Sequence, residues 1–325
     1  MNTQLGRPAR RWAGRVAFAF AVASSVPALA SVLGCSDASA PIVETARRAY
    51  QPEKGVRAVS VNGNDVAYFE VGSGPLVVLL HGFPDTAHTW DAAAPLLAAS
   101  GHRVVAPFLS GYAPSGIQPT DMTVEMLGRQ IVGLVRALGE DHAILVGHDW
   151  GAFGAYAAAA FEPRLVDKLV TIAIPHPIAL AKHPEVATPQ HFVELTRPDA
   201  LAMAEADDFI YLDTLVARWS PTWRVPKGEL DPVKNAFSVP GSLNAALGYY
   251  RGFYADLPAA LFEPVSVPTL TFRGTKDGSI DPAPWADQKA AFRGAFELVE
   301  LPVGHFVHRE AEDAFMTKLL TFIDE

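Results

Sequence analysis

A single cysteine, Cys35, stands among 325 residues, so no disulfide can close within the chain and a cross-linked scaffold is excluded. Charged residues make up only 19%, and there is no internal repeat or low-complexity tract, which excludes collagen-like chains, coiled coils and disordered polymers. His176, His183 and His191 are scattered among prolines rather than set at ligand spacing, so the sequence implies no metal and no cofactor. Basic residues are scarce: 26 Lys and Arg face 35 Asp and Glu, a formal charge of −9. Four of those cations, Arg7, Arg10, Arg11 and Arg15, fall in a leader without acids, so the rest is more acidic still. Such a surface repels phosphate backbones, which argues against a nucleic-acid partner and for a small neutral organic substrate. What the chain does have is apolar content, 50% of its residues, enough to bury a large core.

Residues 1–34 read as a signal peptide. The arginines precede an uncharged stretch from Val16 to Ser36, rich in Ala, Val, Leu and Phe. Three endings compete. Ala28-Leu29-Ala30 and Ala38-Ser39-Ala40 fit small-x-small cleavage sites, and either cut would release a periplasmic or secreted protein. Val32-Leu33-Gly34-Cys35 resembles a bacterial lipobox, and acylation suits a lone exported cysteine. Cys35 is therefore the candidate lipid attachment, and through it the membrane a candidate partner. A stretch of about 20 apolar residues could also persist as an anchor. Residues 35–56, polar and without apolar periodicity, read as a flexible tether.

From Val59 the apolar alternation breaks at Asn62-Gly63-Asn64 and resumes from Val66 to Val71, which predicts a hairpin. Leu76 to Leu80 is a continuous apolar run, as a strand buried on both faces requires. Similar runs recur at Arg103 to Ala106, Ala143 to Val146, Lys168 to Ile174, Thr269 to Phe272 and Phe296 to Leu301. Helical patterns lie between them. Thr123 to Leu138 carries Met126, Ile131, Leu134, Val135 and Leu138 along one side. This alternation predicts one α/β unit with a mostly parallel sheet. It stops over residues 177–262, where Pro, aromatic and acidic residues surround helical patches, a length that predicts a lid rather than a connector.

Gly147-His148-Asp149-Trp150-Gly151 follows the Ala143 to Val146 strand and precedes a helix of small residues, Ala152 to Ala160. That is the context of a nucleophile elbow, where flanking glycines let a sharp turn push one side chain out above the sheet. Here the side chain is a carboxylate. A serine alkoxide that opened an sp³ carbon would leave a stable ether, whereas a carboxylate leaves an ester that water can cleave. Asp149 also needs no base for its first attack, being anionic at neutral pH. The alternative is an Asp that merely caps the following helix; it leaves both glycines unexplained.

On these motifs the chain resembles the α/β-hydrolase superfamily and, within it, the epoxide hydrolases and dehalogenases with an Asp nucleophile. The resemblance implies an eight-stranded, mostly parallel sheet with helices on both faces, its core formed by residues 57–176 and 263–325, with a helical cap at 177–262. His81-Gly82-Phe83-Pro84 is similar to the HGxP motif, which makes the backbone N–H groups of Phe83 and Trp150 the expected oxyanion hole. His81 is expected to support the turn. Gly304-His305-Phe306 follows the last strand, so His305 is the expected base, with His308 beside it expected in solvent. Asp277, three residues after Gly274, matches the family's orienting acid; Asp281 is the reserve and the expected cap of a helix at Pro282 to Phe292. Pro175, His176 and Pro177 offer no carboxylate at the other family position for the acid.

The same resemblance implies cap residues that donate to an epoxide oxygen. Tyr250, before Arg251, matches one, and His191 stands where other members have Tyr or His; Tyr249 should point away, and Tyr211 is a substitute. The implied reaction is epoxide to vicinal diol through an alkyl ester on Asp149. Dehalogenation by the same nucleophile is the alternative, since Trp150 could bind a departing halide, although Phe83 offers no second donor side chain. Trp150 and Phe153 stand where fluoroacetate dehalogenases place arginines, which disfavours a charged haloacid. A binding homologue without turnover is a further reading, set against three intact triad candidates. An esterase reading ranks lower still, because Asp cannot replace Ser in ordinary acyl transfer without forming an anhydride. Phe108 and Ser110 depart from the Asp and Arg usual in their loop.

Overall fold

Parallel strands must be covered on both faces, and Leu76–Leu80 meets that demand residue by residue. Val77 and Leu79 pack on one side with Leu97, Phe315 and Leu319; Val78 and Leu80 pack on the other with Leu127, Ile131 and Ala155. The computed structural model describes residues 55–325 apart from 119, 187, 254 and 256. The expected leader, its alternative cuts and Cys35 lie outside the described residues. Among the described residues no helix is long and apolar enough to cross a membrane.

The sheet has eight strands: β1 (Arg57–Val61), β2 (Asn64–Gly72), β3 (Leu76–Leu80), β4 (Arg103–Pro107), β5 (Ala143–His148), β6 (Val166–Ile172), β7 (Thr269–Gly274) and β8 (Phe296–Leu301). Their spatial order is β1-β2-β4-β3-β5-β6-β7-β8. Only β2 runs antiparallel to its neighbours; β3 to β8 are mutually parallel. The β1–β2 turn falls on Asn62 and Gly63, both at positive φ, the tight hairpin geometry that Asn-Gly favours. β6 ends two residues sooner than its apolar run, because Ala173 adopts φ 69°.

On one face lie α1 (Ala93–Ala99) and, at the C-terminus, α9 (Val307–Glu310) and α10 (Glu312–Asp324); on the other lie α2 (Val124–Ala137) and α3 (Trp150–Phe161). The Thr123 hydroxyl caps α2 by accepting from the Met126 N–H at 3.1 Å. Met126 itself is 37% exposed rather than on the buried side, because it lies across the helix from Val124, Leu127, Ile131, Leu134 and Val135, which carry the apolar face. α3 buries Ala152, Ala155, Ala157 and Ala158 completely, which explains its small residues: the helix lies in the middle of the core.

Between β6 and β7 the chain forms α4 (Pro177–Leu180), α5 (Gln190–Leu195), α6 (Ala200–Trp219), α7 (Asp231–Phe237) and α8 (Ser242–Gly252). α5 is short and its place is fixed from outside. Glu194 accepts two hydrogen bonds from Arg218 of α6, at 3.0 and 2.7 Å, and one from Tyr211 at 2.7 Å. The helix expected at Pro282 to Phe292 is a 3₁₀ helix, Ala283–Ala291, and Asp281 accepts from the Ala283 N–H at its start.

Candidate active site

A doubly covered parallel sheet leaves only the carboxyl ends of its strands free for chemistry. Four loops meet there: Gly82-Phe83 after β3, Asp149 after β5, Asp277 after β7 and His305 after β8. Asp149 sits at φ 51°, ψ −118°, a conformation costly for a residue with a Cβ and held by its surroundings. The flanking glycines are obligatory. A Cβ on Gly147 would run into the Gly151 carbonyl, and one on Gly151 into the Leu80 carbonyl. A Cβ on Gly82 would strike Asp149 itself.

The Phe83 N–H donates to Asp149 Oδ1 at 2.8 Å, the geometry expected for one half of an oxyanion hole. Trp150 begins α3 directly after Asp149, as expected, and its indole is buried against Tyr250 and Phe153. His305 Nε2 lies 3.6 Å from Asp149 Oδ2, and His305 Nδ1 lies 2.9 Å from Asp277 Oδ2. Nucleophile, base and acid candidates thus come together in one line. Burial opposes a charge on His305, but the Asp277 and Asp149 carboxylates outweigh it and raise the imidazole to about 10. Burial likewise opposes the Asp149 charge, yet His305 and the Phe83 N–H hold its carboxyl below the ordinary value. The resting pair is therefore imidazolium and carboxylate.

Tyr250 stands with its ring edge-on to both Trp150 (5.1 Å) and Phe83 (5.4 Å), 1% exposed, and its hydroxyl makes no hydrogen bond within 3.5 Å. Burial drives its phenol well above the ordinary value, the Asp149 charge adds to that, and the neighbouring Trp150 offsets a part. The group is a proton-bearing donor at any working pH. His191 is buried too, its ring 4.7 Å from Trp219 and 5.8 Å from Tyr250, and burial lowers it to about 4. It is a neutral imidazole with one N–H to give. The Tyr249 hydroxyl points elsewhere and donates to the Ser110 carbonyl at 2.8 Å. Tyr211 is withdrawn as a substitute, because Glu194 holds its hydroxyl.

His81 supports the turn, accepting from the Leu109 N–H through Nε2 at 2.9 Å. His308 contradicts its solvated expectation. It is 3% exposed, hydrogen bonded through Nε2 to Thr89 Oγ1 at 2.6 Å, with its ring 4.6 Å from both Trp90 and His148. The short helix α9 turns it under the sheet. Phe108 and Ser110 have a packing role: Phe108 lies against Phe69 and His88, and Ser110 Oγ accepts from Asn64.

Two features escape motif reading. Ser279 Oγ lies 2.9 Å from His305 Nδ1. The end of α6 grips the loops of both the base and the acid candidate: the Trp219 carbonyl accepts from the Gly278 and His305 N–H groups at 3.0 and 3.2 Å, and Ser220 Oγ accepts from His305 N–H at 2.9 Å. Only the proximity of Ser279 to Asp277 in sequence gives a signal for the first; the second has none, because it joins backbone to a distant helix end. Among the described residues no three His, Cys, Asp or Glu gather to hold a metal ion.

The comparisons agree with this architecture. Residues 75–312 match the family described as alpha/beta hydrolase fold. The AB hydrolase superfamily protein YfhM of Bacillus subtilis (strain 168) is 30% identical over 233 residues, 67% of this chain and 80% of that one. An epoxide hydrolase of Caballeronia sordidicola is 28% identical over 310 residues, 82% of this chain and 92% of its own. Among solved structures, the epoxide hydrolase VrEH1 from Vigna radiata superposes with a TM-score of 0.71 at 27% identity, covering 83% of this chain and 97% of that one.

Proposed function

The chain belongs to the alpha/beta hydrolase fold family and is an epoxide hydrolase-like enzyme of that type, and from this premise we propose that it opens a neutral epoxide to a vicinal diol through a covalent ester on Asp149. One observation carries the reading above others: the Asp149 carboxyl stands at a strained elbow, 3.6 Å from His305 Nε2, in a site whose wall holds the buried Tyr250 with no hydrogen-bond partner for its hydroxyl. The wall around it is aromatic, with Phe83, Trp150, Phe192, Trp219, Tyr250 and Phe253 in ring contact with one another or with His191 and His305. That lining suits an apolar substrate.

In the proposed cycle Asp149 Oδ2 attacks a ring carbon and the C–O bond breaks towards Tyr250. The phenol gives its proton to the new alkoxide, and His191 donates a second hydrogen bond. His305 returns a proton to the tyrosinate and is left neutral. Esterification has meanwhile erased the Asp149 charge, one of the two that keep His305 protonated, so the imidazole becomes a usable base at the step that needs one. It takes a proton from water, the hydroxide adds to the ester carbonyl, and the Phe83 and Trp150 N–H groups receive the oxyanion. Collapse releases the diol, and Asp149 is again a carboxylate beside an imidazolium.

A single turnover in ¹⁸O-water tests the covalent route, since the label is expected in the Asp149 carboxylate; label found only in the diol would sink it. Tyr250→Phe is expected to slow ester formation by about 10²-fold, the worth of one preorganised donor, while ester hydrolysis keeps its rate. Rapid-quench measurement of the two phases separates these. The same nucleophile could displace a halide, and the buried indole N–H of Trp150, without a partner, favours that second reading. Bromide release from a bromoalkane without diol from styrene oxide would put it first.

A further inference from the structure

We infer that Ser279 is a positioning residue for the catalytic base, holding the His305 imidazole through its hydroxyl and the Asp277 carboxylate through its backbone. The inference rests on the assignment of His305 as the base for ester hydrolysis. Ser279 Oγ and Asp277 Oδ2 lie at the same distance, 2.9 Å, from His305 Nδ1. The Ser279 N–H donates to the other Asp277 oxygen, Oδ1, at 2.7 Å. Ser279, Asp277 and His305 thus close a small ring of contacts, and the serine is 6% exposed. The loop that carries it cannot drift, because the Gly278 N–H donates to the Trp219 carbonyl and a Cβ at Gly278 would run into the Arg218 carbonyl.

A base is useful only if its lone pair faces the water it deprotonates. One acceptor at Nδ1 sets the tautomer but leaves the imidazole free to rock about that single bond. Two acceptors flanking Nδ1 fix the ring plane as well, which keeps the proton on Nδ1 and directs Nε2 at the Asp149 ester. A hydroxyl suits the second place better than another carboxylate. It adds no charge, so it deepens the hold on the proton that His305 must exchange in every cycle far less than a second carboxylate would. Because Nδ1 keeps its proton in both the imidazolium and the neutral form, the hydroxyl remains an acceptor throughout the cycle. The other titratable groups facing His305 are Asp149 and His148 at the elbow, His191 on α5 and His308 on α9. Replacing Ser279 leaves all of them in place.

Ser279→Ala is expected to slow ester hydrolysis about three- to tenfold, the worth of one hydrogen bond, with ester formation unchanged. The acid limb of the hydrolysis rate should move to lower pH, because the imidazolium has lost an acceptor; a loop that was merely loosened would lower the plateau without moving the limb. Ser279→Thr, which keeps the hydroxyl, should restore both. In an Asp277→Asn background, loss of the Ser279 hydroxyl should cost more than in the parent, since no charged acceptor then remains at Nδ1. The His305 Nδ1 proton resonance of the ¹⁵N-labelled full chain is expected to shift in Ser279→Ala whether or not any epoxide is turned over. Failure of the epoxide reading would therefore show separately, as absence of diol from every substrate. An unmoved Nδ1 resonance together with an unmoved hydrolysis limb in Ser279→Ala would overturn the inference.

Discussion

Asp149→Asn is expected to remove diol formation by about 10³-fold or more and to leave no covalent adduct on the protein. The substitution changes almost nothing else. The amide is the size of the carboxylate, its oxygen can still accept from the Phe83 N–H, and Asn tolerates positive φ better than most residues. Folding and substrate binding should therefore survive, and the loss should appear in turnover rather than in affinity. A second consequence follows at His305. With one of its two carboxylates gone, the imidazole should lose its proton at a lower pH than the value of about 10 that it has beside Asp149. Stopped assays for diol, intact-protein mass spectra and a histidine titration read these three effects. Substantial diol formation in the variant would mean that water attacks the epoxide directly with His305 as its base, and the ester route would be lost.

His305→Gln is expected to have the opposite signature: rapid formation of the ester and almost no release. Ester formation draws on Asp149 and Tyr250, both of which are kept, and the Phe83 N–H still supports the Asp149 charge although the share held by His305 is gone; at a pH that keeps the carboxylate ionised the protein should gain the mass of one substrate molecule within the first turnover. Hydrolysis then lacks its base, a deficit of about 10²- to 10⁴-fold. In the parent enzyme the rate of that second step should rise with pH through the His305 titration of the ester form. This must lie below the free-enzyme value, because the Asp149 charge has been neutralised while that of Asp277 remains. The sign is specific to this arrangement. An acid limb for ester hydrolysis at or above the free-enzyme titration, or a variant that shows no adduct with any epoxide tested, would contradict the proposed order of events.

Much of the site was legible because its geometry is local. Asp149 is announced by a strand, two glycines and a helix of small residues, each of which has a steric reason visible in the fold: no Cβ fits at Gly147 or Gly151, and α3 runs through the core. His305 and Asp277 follow their strands directly, so locating β7 and β8 nearly locates them. Phe83 is read the same way from the end of β3. What sequence could not supply depends on contacts between distant segments. His308 looks like a surface residue three places beyond His305, yet Thr89 and Trp90, over two hundred residues earlier, receive it in the interior. Met126 groups with the apolar side of α2 in the sequence reading, but it stands five residues before Ile131 and nine before Val135, which puts it on the outward side of the helix, while Val124 and Leu127 of the same turn are buried. Tyr211 is a substitute donor by sequence, and nothing in its neighbouring residues shows that Glu194, itself paired with Arg218, claims its hydroxyl.

The grip of α6 on the Asp277 and His305 loops also bears on how such enzymes can be recombined. Residues 177–262 look like an exchangeable module, inserted between two strands and concerned only with what the enzyme accepts. Yet the carbonyl of Trp219 and the hydroxyl of Ser220 hold the backbone that carries the proposed base, His305, and the carbonyl also holds Gly278 beside Asp277, the proposed acid. A chimera that imports this segment from a relative therefore imports part of the catalytic frame with it. Altered rates in such hybrids would reflect a shifted imidazole as much as a reshaped entrance, and grafts that retain the Trp219-Ser220 junction are the ones that would change selectivity alone.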